Sequence, residues 1–176
     1  MKLPPLSLYI HLPWCERKCP YCDFNSHEAA LIPEQAYVRA LLPDLEADQS
    51  LAAGREVQTL FIGGGTPSLF SADAIALLLQ GIAQQLNLSP GLEATMEANP
   101  GSAEADKFLG FREAGINRLS LGIQSFQDTK LAALGRVHTA EQARAAIEHA
   151  RAAGFDNFNL DLMHGLPGQS PADALN

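Results

Sequence analysis

The sequence predicts an α/β fold, a partial (β/α) barrel with parallel strands that stops after about five βα units. Three observations carry this. Short apolar runs alternate with amphipathic stretches of helical length. Each apolar run is followed by polar or glycine-rich residues, which places those loops at strand C-terminal ends. No internal repeat or linker-like stretch divides the series, so residues 1–176 read as one domain.

The elements follow in order. The first strand is Leu8 to Leu12, and the first helix runs from Pro33 to Gln49. Pro43 inside it predicts a kink or an early end, because proline lacks the N–H and crowds the preceding turn. The second strand is Thr59 to Ile62, followed by a helix over Ala72 to Leu86 with Ser71 as N-cap. The third strand, Glu93 to Glu97, leads to a helix over Ala103 to Ala114, with Ser102 as N-cap and Gly115 as a left-handed stop. After the fourth strand, Arg118 to Ile123, comes a short helical turn near Gln127 to Leu134. A capping box of Thr139 with Gln142 then opens a helix over Ala140 to Ala153, closed at Gly154. The fifth strand, Asn157 to Met163, alternates Asn159 and Asp161 with Leu160 and Leu162, which puts both polar side chains on one face. The last residues, Ser170 to Asn176, start a helix with S-x-x-D spacing that does not complete a second turn. The expectation is a C-terminally truncated piece of a longer protein, with a further C-terminal domain and a sheet edge that something else covers.

Composition bounds the function. The 176 residues are 47% hydrophobic, enough for a core and too apolar for disorder. Twelve Lys and Arg stand against twenty Asp and Glu, a formal charge of −8, and no basic run is present to neutralise phosphates, so nucleic acid is excluded as a partner. Prolines at positions 4 and 5 interrupt any signal peptide and no segment reaches 18 apolar residues. The expectation is a cytoplasmic protein that does not span the membrane, in a compartment that keeps thiolates reduced.

Cys15, Cys19 and Cys22 are the three cysteines of the chain, in the order C-x3-C-x2-C. Their number is odd and the intervening loops are short, which argues against a disulfide framework and for metal. A structural zinc site or an ordinary cubane takes four protein ligands, whereas three sulfurs leave one iron open to a small molecule. Zinc with His11 or His27 as fourth ligand, or a solvated loop, are the competing readings.

The other strand ends add polar groups at the same face. Strand two ends in Gly63-Gly64-Gly65-Thr66-Pro67, where glycine lets a backbone approach a ligand closely, or simply makes a turn. Strand three ends in Met96-Glu97-Ala98-Asn99-Pro100, a carboxylate suited to an ammonium or a ribose hydroxyl. Strand four ends in Gly122-Ile123-Gln124-Ser125-Phe126.

Taken in order, Tyr9-Ile10-His11-Leu12-Pro13, the cysteine triad, G-G-G-T-P, E-A-N-P, L-S-L-G-I-Q-S-F, L-G-R-x-H and D-L-M-x-G-L-P-G closely resemble the radical S-adenosylmethionine (SAM) proteins related to oxygen-independent coproporphyrinogen III dehydrogenase. The resemblance covers nearly the whole chain and implies a radical SAM barrel. It implies that Cys15, Cys19 and Cys22 bind a [4Fe-4S] cluster whose fourth iron takes the methionine amino and carboxylate groups of SAM. Tyr9, Tyr21, Gly64, Gly65 and Thr66 match positions lining the methionine and adenosine parts. Glu97, Gln124, Arg136 and Asp161 match further SAM contacts, Arg136 having the bidentate fork that suits a carboxylate. The chemistry implied is one-electron reduction of the cluster by a donor protein and reductive cleavage of SAM to methionine and a 5′-deoxyadenosyl radical. Gly65→Val is expected on this basis to weaken SAM binding and leave iron content intact.

One departure divides the family. The dehydrogenases continue the motif as C-x3-C-x2-C-x-C, whereas Cys22 is followed here by Asp23 and Phe24. Phe24 in place of the fourth cysteine matches the sister group of HemW-like heme chaperones, and implies heme as ligand and a heme-acceptor protein as partner. Porphyrinogen oxidation in porphyrin biosynthesis and a zinc-stabilised scaffold without redox role stand as alternatives. The heme ligand is open among His11, His27, His138, His149 and His164.

Overall fold

The computed structural model describes residues 3–102 and 105–175. Five parallel strands lie side by side in chain order: β1 (Leu6–Leu12), β2 (Val57–Gly64), β3 (Leu88–Ala98), β4 (Arg118–Gln124) and β5 (Phe158–Leu162). The expected α/β architecture of parallel βα units, a partial barrel, is therefore present. Each strand is joined to the next through helix: α1 (Glu34–Ala52), α2 (Ala72–Gln85), α3 (Ala105–Ala114), and the pair α4 (Asp128–Ala133) and α5 (Ala140–Ala152), with a short α6 (Pro171–Leu175) after β5.

Alternation along the strands divides the two faces. Ile10, Leu12, Leu60, Ile62, Ala94, Met96, Leu119, Leu121 and Ile123 are buried in one core with Val38 of α1, Ile75, Leu78 and Ile82 of α2, Phe108 and Phe111 of α3 and the alanines of α5. The residues between them, among them Thr95, Glu97, Ser120, Gln124, Asn159 and Asp161, point to the opposite, polar face. A parallel sheet covered on both faces reads as continuous apolar runs; a polar alternate here marks a face that receives something other than helices.

The helix boundaries show which local signals ruled. Ser71 caps α2, accepting from Ala74 N–H at 3.2 Å, and its own N–H donates to Glu34 of α1 at 3.0 Å. Thr139 and Gln142 form both halves of the capping box. Gly115 and Gly154 have φ of +115° and +80°. Of the two outcomes expected at Pro43, the early end is corrected: helix α1 runs through Pro43 to Ala52, and Pro43 and Arg39, whose carbonyl loses its partner, are both exposed, where solvent can reach that carbonyl. The hydroxyl of Ser102, the expected cap of the next helix, donates to Asn99 O at 3.1 Å and bonds the Ser68 hydroxyl at 2.7 Å. The expected start of that helix at Ala103 and Glu104 lies outside the described residues, as does Asn176 at the end of the last one.

Candidate functional site

Between β1 and α1 the chain makes the cysteine loop, and its base is a two-residue parallel pairing of Trp14–Cys15 with His27–Glu28. The Trp14 ring anchors it, edge-on to Tyr37 at 4.5 Å and tilted against Phe70 at 5.8 Å. Within the loop Cys22 N–H donates to Cys19 O, and Lys18 ties across, its backbone N–H to Glu28 at 2.7 Å and its ammonium to Phe24 O and Ser26 O. All three cysteines are free thiols, Cys15 buried and Cys19 and Cys22 half-buried.

The glycine run after β2 threads into this loop. Gly65 N–H donates to Leu12 O at 2.8 Å and Thr66 N–H to Trp14 O at 2.7 Å. A Cβ on Gly65 would collide with Trp14 backbone, coming within 2.7 Å of its carbonyl carbon and closer still to the oxygen. A Cβ on Gly64, where φ is +119°, would meet the His11 ring at 2.7 Å. The glycines thus serve close approach of backbone to protein, and the crowding partner of Gly65 is the strand carrying Cys15.

A cavity of about 350 Å³ opens beside the loop. It is lined by Cys15, Cys19 and Cys22, by Tyr21, Gly64, Gly65 and Thr66, and by Glu97, Gln124, Arg136 and Asp161 from the strand ends and the turn after α4. Eleven of the twelve residues singled out from the sequence are therefore gathered in one place. Tyr9 is the exception. It stacks on Phe61 at 6.2 Å and donates to His11 Nδ1 at 3.0 Å, bordering a second cavity along α1. Since His11 Nε2 bonds Asn25 O at 2.7 Å, both His11 nitrogens are engaged, and His11 is not a free fourth zinc ligand. Among the described residues no group of three or more His, Cys, Asp or Glu side chains is placed to hold one metal ion.

Charge in the cavity is polarised. On the cysteine side Arg136 donates from Nη1 to Cys19 Sγ at 3.6 Å and from Nη2 to Gly122 O at 3.0 Å, leaving its buried Nε without a partner. Gly135, with φ of +70°, packs against Pro20 and so brings this turn to the loop. On the strand side, Glu97 accepts from Gly64 N–H at 3.1 Å. Burial pushes the Glu97 carboxyl above its ordinary range, the Asp161 charge adds to this, and the Gly64 bond opposes it. Tyr21 is likewise raised, by burial first. Gln124 has a left-handed φ of +64°, a strained conformation for a residue with a side chain, and strain of this kind clusters where ligands bind.

Sequence reasoning missed several lining residues: Arg17, Lys18, Asn99, Ser120 and Gly122. Arg17 and Lys18 lie inside the cysteine motif and could have been marked as cations beside it. Ser120 and Gly122 carried a usable signal, since they share parity with Gln124 on β4 and so face the same side. His138 is structural: its Nε2 bonds Ile123 O at 3.0 Å inside the core, and burial lowers its basicity.

A model of the radical SAM superfamily matches residues 9–176. The heme chaperone HemW of Escherichia coli (strain K12) is 56% identical over 176 residues, covering 99% of this chain and 47% of that protein. HemW of Haemophilus influenzae is 55% identical over 179 residues, with the same coverage. The mitochondrial radical S-adenosyl methionine domain-containing protein 1 of Bos taurus is 41% identical over 163 residues, covering 93% of this chain and 37% of its own. The chain spans about half the length of the curated relatives it matches. Among solved structures, coproporphyrinogen III oxidase (HemN) from Escherichia coli, a radical SAM enzyme, superposes with a TM-score of 0.80 at 33% identity over 96% of this chain and 39% of that one. The structure of anSMEcpe with bound AdoMet shares the fold, with a TM-score of 0.62 at 18% identity over 89% of this chain and 43% of that one.

Proposed function

The chain belongs to the radical SAM superfamily, and from that premise we propose that it binds a [4Fe-4S] cluster and SAM and serves as a heme chaperone that delivers heme to respiratory proteins. The single observation that carries the SAM reading is the polarity of the cavity: cations beside the cysteines, acceptor carboxylates at the strand ends. SAM carries its carboxylate and amino group together on the methionine end and a ribose diol farther along, so it offers one anionic acceptor and donors at two places. Glu97 and Asp161 accept and would repel a phosphate, so the glycine run is no phosphate cradle. The partnerless Arg136 Nε is a donor in want of an acceptor, and it fits a ligand carboxylate.

Cys15, Cys19 and Cys22 would hold the cluster and leave one iron open. When bound, that cluster supplies one electron to the sulfonium. The chain's own residues bind and orient: Arg136 takes the carboxylate, Glu97 and Asp161 take donors, Gly64, Gly65 and Thr66 fix the cysteine strand against the strand ends, and Tyr21 and Phe24 wall the cavity against water. The heme reading follows from the HemW relatives at 55–56% identity and from Phe24 standing where the dehydrogenases have a fourth cysteine. A one-electron donor protein and a heme acceptor would be its partners, in the cytoplasm; among the described residues no helix is long and apolar enough to cross a membrane. The likeness to HemN favours a second reading, oxygen-independent oxidation of coproporphyrinogen III.

The test is anaerobic reconstitution with iron and sulfide followed by EPR of the reduced protein with and without SAM. A cluster signal that shifts with SAM and disappears in the triple cysteine-to-alanine variant supports the reading; no cluster, or one indifferent to SAM, defeats it. Heme titration and analysis for vinyl products then separate chaperone from oxidase.

A further inference from the structure

On the polar face of the sheet, one step behind the cavity, five side chains from three strands form a directed hydrogen-bond chain that ends on Asp161. Arg118 Nη2 donates to Asn159 Oδ1 at 2.7 Å, and its Nη1 to Thr95 Oγ1 at 3.3 Å. A guanidinium can only donate, so the Asn159 oxygen faces Arg118 and the amide nitrogen faces the other way. That nitrogen reaches Ser120 Oγ at 3.0 Å and Asp161 Oδ1 at 2.7 Å. Ser120, having accepted from Asn159, sends its own proton to Asp161 Oδ2 at 2.9 Å. Each carboxylate oxygen is thus held by one donor from the sheet, and both donors owe their orientation to Asn159.

Register makes the chain possible. Thr95 pairs with Arg118, and Ser120 with Asn159, so the four side chains stand in adjacent positions on one face. The two side-chain bonds of Arg118 both go to neutral oxygens; its charge is passed to Asp161 through the amide it polarises. Asp161 and Ser120 both line the cavity, whereas Arg118 and Asn159 do not.

The geometry points to Asn159 as a positioning residue for SAM: oriented by Arg118, it fixes the Asp161 carboxylate as a pure acceptor whose remaining lone pairs receive a ligand's hydroxyl or ammonium donors. This rests on the SAM reading above. Asn159→Asp keeps shape and still accepts from Arg118 but no longer donates to Asp161; Asn159→Leu removes the donor without adding charge.

On the full chain with its cluster reconstituted anaerobically, calorimetric titration should show SAM affinity about tenfold weaker in either variant, the loss expected for hydrogen bonds to a charged group. In an Asp161→Asn background the same two substitutions should change affinity less than about twofold, since Asn159 acts through that carboxylate. Equal losses in both backgrounds, no loss in the unaltered one, or loss of iron and sulfide in both variants would overturn the assignment. Failure of the unaltered protein to bind SAM would instead overturn the SAM reading itself.

Discussion

At Gly65 the absent side chain is what lets two loops meet. Alanine there would place a methyl within 2.7 Å of the Trp14 carbonyl carbon, and backbone cannot step aside as a side-chain tip can. Gly65→Ala should cost about 1–3 kcal/mol, the usual range for overpacking, and should lower iron content per chain because the displaced strand carries Cys15; differential scanning calorimetry and iron analysis read both. Gly91, whose Cβ would meet nothing within 4 Å, is the neutral control. Glu97 shows the opposite trade. Its pKa is raised in the folded chain above the ordinary 4.5, so the fold holds the proton more tightly than the unfolded chain does. Its contribution is therefore fully present below the unfolded value and lost as pH rises through the folded one. Glu97→Gln should flatten that fall in urea midpoints measured across the acid range and weaken SAM binding at neutral pH. The cysteine triad was legible because its chemistry is set by spacing alone; Gly65's partner was not, because Trp14 is fifty-one positions away in sequence.

Among the elements, α2 shows how a local signal acquires a tertiary role. The Ser71 cap was readable from serine before an apolar helix, but its bond to Glu34 ties the starts of α1 and α2 together. Ser71→Ala should cost about 1–2 kcal/mol, at the upper end for a lost cap, as measured by denaturant midpoint. Pro43 does not end its helix: the carbonyl it orphans is exposed to solvent, and the packing of Leu41, Leu42 and Leu45 against the core holds the helix together. Ser102 ties the end of β3 to the loop after β2 through Asn99 and Ser68. Strand positions were read well where apolar runs are long; β3 begins at Leu88, earlier than Glu93, because Val57 pairs with Leu88 across a register shift that no local pattern announces.

Over the whole molecule, one core carries the stability and one polar face carries the site. Phe108 is fully buried and meets Phe155 edge-on at 6.3 Å, so Phe108→Ala should cost about 3–5 kcal/mol. Because that ring lies on the helix side of the sheet, SAM affinity of the surviving folded protein should be unchanged, which calorimetric titration below the unfolding transition checks. Sequence by itself determined the α/β class, the order of the strands, the cysteine triad and the polar residues at the strand ends, since periods of 2 and 3.6 and the spacing of metal ligands are local properties. Tertiary structure decided which of those residues share a cavity, that Tyr9 stands apart from it against His11 and Phe61, and that Arg118, Asn159 and Ser120 converge on Asp161. The convergence on Asp161 depends on register between residues 41 apart in sequence, and register is fixed by how the whole sheet packs.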